Sequence, residues 1–214
     1  MENMKPIQIV STSMQVAHVL RNAILTRELR EGEVINLDMI SRQLGVSNTP
    51  VREALRILAN DGLVRLRPNK GAIVLGVTPQ SVRDYYEVRA MLEACAVRKI
   101  CRAEDLTPIV QAFEEAEKTI REGRFSDYAA CNFRLHETIW KMTGNKKLFS
   151  TVTSLFNWSS RASHASDEEY VQLAHEEHRK IVQAILARDE KAAFLSMEAH
   201  LKRSMENMLT YLED

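Results

Sequence analysis

The segment Leu44-Gly45-Val46-Ser47-Asn48-Thr49-Pro50-Val51-Arg52-Glu53-Ala54-Leu55 puts an amide, a hydroxyl and guanidinium groups on one side of a predicted helix. Val51, Leu55 and Leu58 recur at helical spacing as its buried side, which leaves Asn48, Thr49, Arg52 and Arg56 facing outward. Amides and guanidiniums read base edges through paired hydrogen bonds, and hydroxyls and further cations hold phosphate. The elements needed to position them are present. Leu37, Ile40 and Leu44 mark a preceding short helix with Asn36 as its predicted N-cap. Gly45 tolerates the tight turn between two crossing helices. Ser47 or Thr49 can cap the second helix, and Pro50 sits in its first turn, where a missing N–H does no harm. This is helix-turn-helix logic, in which the N-terminal end of the second helix enters the major groove.

Helix-glycine-helix segments also occur in helical proteins that bind no DNA, and the next residues separate the two readings. Asp61-Gly62 ends the second helix, and Leu63-Val64-Arg65-Leu66-Arg67 reads as a short strand. Pro68-Asn69-Lys70-Gly71 is a turn, and Ala72-Ile73-Val74-Leu75 is a second β-branched run. The result is a wing with Lys70 and Gly71 at its tip, suited to phosphate or a minor groove.

The formal net charge of the 214 residues is zero, so the protein is not basic all over. Residues 1–79 nevertheless hold 10 Lys and Arg against 7 Asp and Glu, a net of +3, and residues 80–214 hold 19 against 22. Arg42, Arg52, Arg56, Arg65, Arg67 and Lys70 supply a local basic face. So modest an excess favours a dimer, which doubles the phosphate contacts over two half-sites. Cys95, Cys101 and Cys131 form no CxxC pair, and are read as buried small apolar residues in a reduced, cytoplasmic setting. Met1 to Pro6 lacks a signal-peptide pattern, and no apolar run approaches the ~20 residues of a membrane span. These features predict a soluble cytoplasmic protein with no membrane partner.

The expected fold is mostly α. A first helix over about 13–29, with Val16, Val19, Leu20, Ile24 and Leu25 on one face, precedes the helix-turn-helix and wing. Thr78-Pro79 reads as an N-cap and first helical residue, so the chain divides into a DNA-binding domain, 1–78, and an all-α domain, 79–214. Helices are predicted near 79–102, 105–121, 125–143, 146–160, 167–187 and 190–212. Asn132 and His136, four residues apart, share a helix face. His178 and His200 lie on the two later helices, at a separation that suits facing positions on an antiparallel pair. Histidines in helical domains also cap, hydrogen-bond or sit half exposed, and spacing alone leaves both readings open. Trp140, Trp158 and the Met-rich C-terminal segment are read as core or dimer packing.

Val46-Ser47-x-Thr49-Pro50-Val51-Arg52-Glu53-Ala54-Leu55 with Gly62-Leu63-Val64 resembles the signature of the GntR superfamily of bacterial transcription regulators. The second domain is similar to the FadR-type ligand-binding (FCD) domain, through Tyr86-Glu87-Val88-Arg89-x-x-Leu92-Glu93, Leu135-His136, Gly144-Asn145, Glu177-His178 and His200-Leu201. The resemblance implies a homodimer that binds a near-palindromic double-stranded operator and responds to a small metabolite. It assigns Arg42, Ser47, Asn48, Thr49, Arg52, Arg56, Lys70 and Gly71 to DNA. It also implies a divalent metal ion, zinc, nickel or similar, on Asn132, His136, His178 and His200, with Asn132 where relatives carry aspartate. An amide brings no charge to offset the cation, so an anionic effector, a carboxylate, would suit the open positions. Arg89 and Arg161 are the candidate effector anchors, Arg89 having an ion pair with Glu93 as its alternative. His175 is expected to face out, and Arg134 to point away from the site.

Two departures concern the operator. Relatives commonly carry arginine at Asn48, which favours guanine, whereas asparagine suits adenine N6 and N7. Asp38 also stands where some relatives carry a basic residue. The alternatives are a DNA-binding regulator with a metal-free pocket or a pure dimerisation bundle and, more remotely, a metal-dependent hydrolase. Against the last, Trp140 fills the place of the second histidine of a zincin motif, and His175-Glu176-Glu177-His178 has the wrong spacing.

Overall fold

A computed structural model describes residues 11–68, 70–159 and 168–213. The chain divides after Val77 into two compact units. In the first, α1 (Thr12–Leu25), β1 (Val34–Ile35), α2 (Leu37–Leu44), α3 (Asn48–Asn60), β2 (Val64–Arg67) and β3 (Gly71–Val74) follow in order. Val16, Ala17, Leu20 and Ile24 of α1 are buried together with Val51, Ala54, Leu55 and Leu58 of α3. The Arg21 guanidinium, itself buried, donates to Asp61 Oδ2 at 2.5 Å at the C-terminal cap of α3. That ion pair anchors the helix that would meet DNA.

The helix-turn-helix forms as its sequence dictates. Asn36 Oδ1 accepts from the backbone N–H groups of Asp38 and Met39, at 2.9 and 3.1 Å. Gly45 takes the left-handed conformation, φ +66°, that a side chain would resist. Ser47 stands at the N-cap of α3 but its hydroxyl makes no capping bond, and Thr49 lies inside the helix, so neither predicted side-chain cap forms. The first helix ends at Leu25, short of 29, because Arg27 turns left-handed at φ +60° and Leu29 N–H returns to Ala23 O at 2.8 Å. Val19, expected on the buried face of α1, is 46% exposed.

The sheet has three antiparallel strands in the order β1-β3-β2, the first of which was not anticipated. Its two residues, Val34 and Ile35, pair with Ile73 and Ala72. Their approach explains Gly71, where a Cβ would sit 1.9 Å from the Ile35 carbonyl oxygen. Gly71 is buried at the root of β3, which corrects its assignment to the DNA-contacting tip.

The second unit is all-α: α4 (Pro79–Ile100), α5 (Thr107–Arg121), α6 (Tyr128–Met142), α7 (Lys146–Ser159), α8 (Glu168–Leu186) and α9 (Glu190–Glu213). Thr78 opens α4 with a reciprocal capping box to Ser81. A 3-10 turn at Phe125–Asp127 precedes α6, so the segment predicted as one helix over 125–143 is two elements. The longest pairing is α4 along α9, while α5 packs on α6 and α8, and α7 packs on α4 and α6. Trp140, Leu135, Ile139, Ile181, Ile185 and Met197 are fully buried. Cys101 and Cys131 are buried, but Cys95 is exposed on α4, correcting the expectation for it.

Candidate metal centre and nucleic-acid-reading face

In the bundle, α6, α8 and α9 bring His136, His178 and His200 to one point from positions up to 64 residues apart in sequence. All three are buried, at 0%, 1% and 5% exposure. Their Nε2 atoms converge, His136 to His178 at 3.2 Å and His178 to His200 at 3.3 Å. Such separations are about those of two ligands that each stand ~2.1 Å from a shared ion.

Each imidazole is held from behind. His136 Nδ1 donates to Glu93 Oε2 at 2.6 Å, and His200 Nδ1 donates to Glu177 Oε2 at 2.7 Å. His178 Nδ1 meets Tyr128 Oη at 3.0 Å. A carboxylate can only accept, so His136 and His200, when neutral, carry their protons on Nδ1 and present Nε2 lone pairs to the centre. His178 can supply at most one N–H to those two lone pairs. At least one buried lone pair is therefore unmatched by protein, and a cation satisfies all three.

The electrostatics favour the neutral form of two of these ligands, His178 and His200. Burial pushes the His200 imidazole down to about 4, with nearby His136 and Arg89 adding to the effect against the pull of Glu177. Burial, with His200 and His136 behind it, holds His178 well below the ordinary histidine range. For Glu93, burial favours protonation, but Arg89 and His136 outweigh it and hold the carboxyl down to about 2. Arg89 Nε donates to Glu93 Oε1 at 2.5 Å, and Trp140 Nε1 to Oε2 at 3.1 Å.

Asn132 lies one turn before His136, and its Oδ1 is buried with no hydrogen-bond partner. An unpaired acceptor on the ligand face of α6 is what a fourth donor to a cation would look like before the cation is counted. The residues thus fit a divalent metal. The ion pair that was the alternative for Arg89 is present, with its guanidinium also 4.5 Å over the Phe156 ring. Arg134 does point away, bonding Glu115 at 2.6 Å on the surface. His175 corrects its expectation: it is buried and stacked on Phe113, with centroids 4.7 Å apart, and is not in the ligand cluster. Arg161 and the side chain of Trp158 lie outside the described residues. Glu137, where a zincin would keep its base, pairs with Lys141 at 2.8 Å.

Sequence reasoning missed Glu177 and Tyr128 as supports and met Glu93 only as a partner for Arg89. The i,i+4 spacing of Arg89 and Glu93 was a signal for that pair. Nothing in the sequence ties Glu93 to His136 across 43 residues.

In the first unit, Arg42, Ser47, Asn48, Thr49, Arg52, Arg56 and Lys70 are all exposed. Arg52 and Arg56 of α3 and Arg67 of the hairpin line one cleft of about 280 Å³, floored by Leu55 and Gly71. Arg67, already counted in the basic face, thus joins the α3 cations in that cleft. Asn48 Nδ2 donates to Asp38 Oδ1 at 2.7 Å, a contact between the two helices. Because Asp38 only accepts, the bond fixes which way the amide turns, and leaves its carbonyl and second N–H outward.

Comparison with known proteins agrees with both halves. Residues 12–74 match the model for bacterial regulatory proteins of the gntR family, and residues 84–203 match the FCD domain. The uncharacterized HTH-type transcriptional regulator YdhC of Bacillus subtilis is 27% identical over 208 residues, covering 94% of this chain and 92% of its own. The gluconate operon transcriptional repressor of the same organism is 25% identical, covering 95% of this chain and 72% of its own. Among solved structures, E. coli McbR/YncC shares the fold with a TM-score of 0.72 at 18% identity, covering 96% of this chain and all of that one. With a gntR-type reading head and an FCD bundle in one chain, the protein belongs to the GntR family and is a helix-turn-helix transcriptional regulator.

Proposed function

We propose that the protein represses transcription as a homodimer on a near-palindromic operator, and that a small carboxylate bound at a metal in the bundle modulates its grip. The observation that carries this reading is the convergence of three Nε2 atoms whose Nδ1 atoms are already committed to Glu93, Tyr128 and Glu177. A divalent ion would rest on His136, His178 and His200, with Asn132 Oδ1 as a fourth donor. The ion would act as a Lewis-acid anchor for a carboxylate oxygen. Because Asn132 is neutral, the cation keeps its full charge, which favours an anionic effector. Arg89 is engaged with Glu93, so its charge is already balanced and the cation would supply the attraction for that anion.

Toward DNA, Arg52 and Asn48 would read base edges. Arg42, Ser47, Thr49, Arg56, Arg67 and Lys70 would hold phosphate. Exposed Val88 and Met91 on α4 and Leu195 on α9 leave apolar surface that a second copy would cover. The gluconate repressor, named for the operon of a sugar acid, makes repression and a carboxylate effector a consistent pair. Among the described residues no helix is long and apolar enough to cross a membrane, in keeping with a cytoplasmic regulator.

Operator titration tests the proposal. An operator selected from random duplexes should bind metal-loaded protein 5- to 150-fold more weakly with an active carboxylate, about 1–3 kcal/mol of coupling. A panel of carboxylates none of which shifts affinity would remove the sensing half of the proposal.

A further inference from the structure

We propose that Asp38 is a second base-reading residue of the DNA-facing surface, so that each half-site holds an A·T pair read by Asn48 and, next to it, a G·C pair whose cytosine amino group donates to Asp38. The inference rests on the base-reading role given to Asn48 above and adds a neighbouring position to it.

Asp38 lies in the first turn of α2, and its Oδ1 accepts from Asn48 Nδ2 at 2.7 Å. Asn48 is the first residue of α3, so the bond brings the carboxylate to the end of the recognition helix that enters the major groove. Both side chains are exposed. The Asp38 backbone is taken up within α2: its N–H donates to Asn36 Oδ1 at 2.9 Å, and its carbonyl accepts from Ser41 Oγ at 3.1 Å and Arg42 Nε at 3.0 Å. Arg42 is thus committed to the main chain, and among the described residues no cation pairs with the carboxylate. Oδ2 remains an acceptor with a full negative charge on a face otherwise lined by cations.

A charge of that sign cannot hold phosphate. Toward the DNA backbone it repels, and toward a base edge it needs a donor. In the major groove the donors are cytosine N4 and adenine N6, whereas guanine N7 and O6 and thymine O4 accept. Adenine sets its N7 acceptor beside N6, against a carboxylate, and cytosine itself carries no acceptor on that edge. Cytosine is therefore the best match, and guanine, with two acceptors, the worst. Oδ2 is bonded to the same carbon as Oδ1, so its reach from the Asn48 amide is comparable to one base-pair step, ~3.4 Å in B-DNA. It meets the neighbouring pair, and the Asn48 carbonyl and second N–H are left for adenine N6 and N7.

Selection from randomised duplexes with the full chain, followed by titration of operators changed at one base pair, tests this. Wild-type protein should enrich adenine at one position and cytosine next to it, and bind about fivefold or more weakly when guanine replaces the cytosine. Asp38→Asn keeps an acceptor for the Asn48 amide but adds a donor of its own. It should retain the adenine and bind the guanine operator within about twofold of the cytosine one. A mere tie between α2 and α3 would leave the profile unmoved, because asparagine preserves the tie. Asp38→Ala should also lose the cytosine, and should bind random duplex more tightly because a repelling charge is gone. A neighbouring position that tolerates every base, one that prefers guanine or thymine, or a cytosine that survives Asp38→Asn overturns the inference. If Asn48→Ala leaves the adenine in place, the reading of Asn48 fails instead, and that variant tells the two failures apart.

Discussion

The two halves of this regulator carry their chemistry in opposite ways. In the first unit the functional side chains are exposed, come from about thirty consecutive residues, and are aimed by backbone features beneath them. In the second they are buried, come from α4, α6, α8 and α9, and are aimed by one another. A reading head must show its donors to a groove before it meets DNA. A sensor must hide its donors from water so that a cation and an anion are worth more inside than outside. Substitution should therefore cost binding in the first unit and folding in the second.

The sharpest way to break that contrast is at Glu93. Glu93→Gln leaves the buried Arg89 guanidinium with no carboxylate and weakens the hold on His136. We expect the bundle to lose about 3–5 kcal/mol and metal affinity to fall about 10–100-fold. Both tryptophans lie in the second unit, so denaturant unfolding followed by their fluorescence reads this loss, and an unchanged midpoint would contradict it.

Acidification probes the same contrast. The folded His200 titrates at about 4 and an unfolded histidine near 6.5, so the unfolded chain takes up the proton first. Its contribution to metal-free stability is full above pH 6.5 and is lost as pH falls toward 4, on the order of 3 kcal/mol. The first unit has no buried histidine, and its transition should move less over that range. Circular dichroism melts from pH 7 to pH 4 check this.

Effects at the reading head should be smaller in stability and visible in DNA binding. Arg52→Ala should cost about 1–3 kcal/mol on a selected operator and less on random duplex, with the melting transition unmoved. Equal losses on both would make Arg52 a phosphate contact. Asp38→Ala frees the Asn48 amide, and should relax the adenine preference at its position by about 1 kcal/mol, measured by selection from randomised duplexes. An unaltered base profile would mean that the Asp38 contact does not orient the amide.

What the sequence disclosed follows the same divide. The turn at Gly45, the Asn36 cap and the buried face of α3 were legible because each depends on residues within one or two turns. β1 was not, since Val34 and Ile35 become a strand only by pairing with β3, and the role of Gly71 is decided by that same distant carbonyl. In the bundle, helical periodicity located α4 to α9. The histidines were found through a family resemblance, and their supports were not. His175 shows why. Three residues before His178, it has no local mark of burial, and its tertiary neighbours, Phe113 of α5 and Tyr128 of α6, take it inside.

Metal content per chain decides whether the bundle is a metal site. It is measured by elemental mass spectrometry on protein purified without chelator or histidine tag, beside His178→Ala, Asn132→Asp and Asn132→Leu. About one divalent ion per wild-type chain is expected, lost in His178→Ala, held more tightly by Asn132→Asp and more weakly by Asn132→Leu. A folded wild-type protein without metal, even after incubation with zinc or nickel, or content indifferent to all three substitutions, would contradict it.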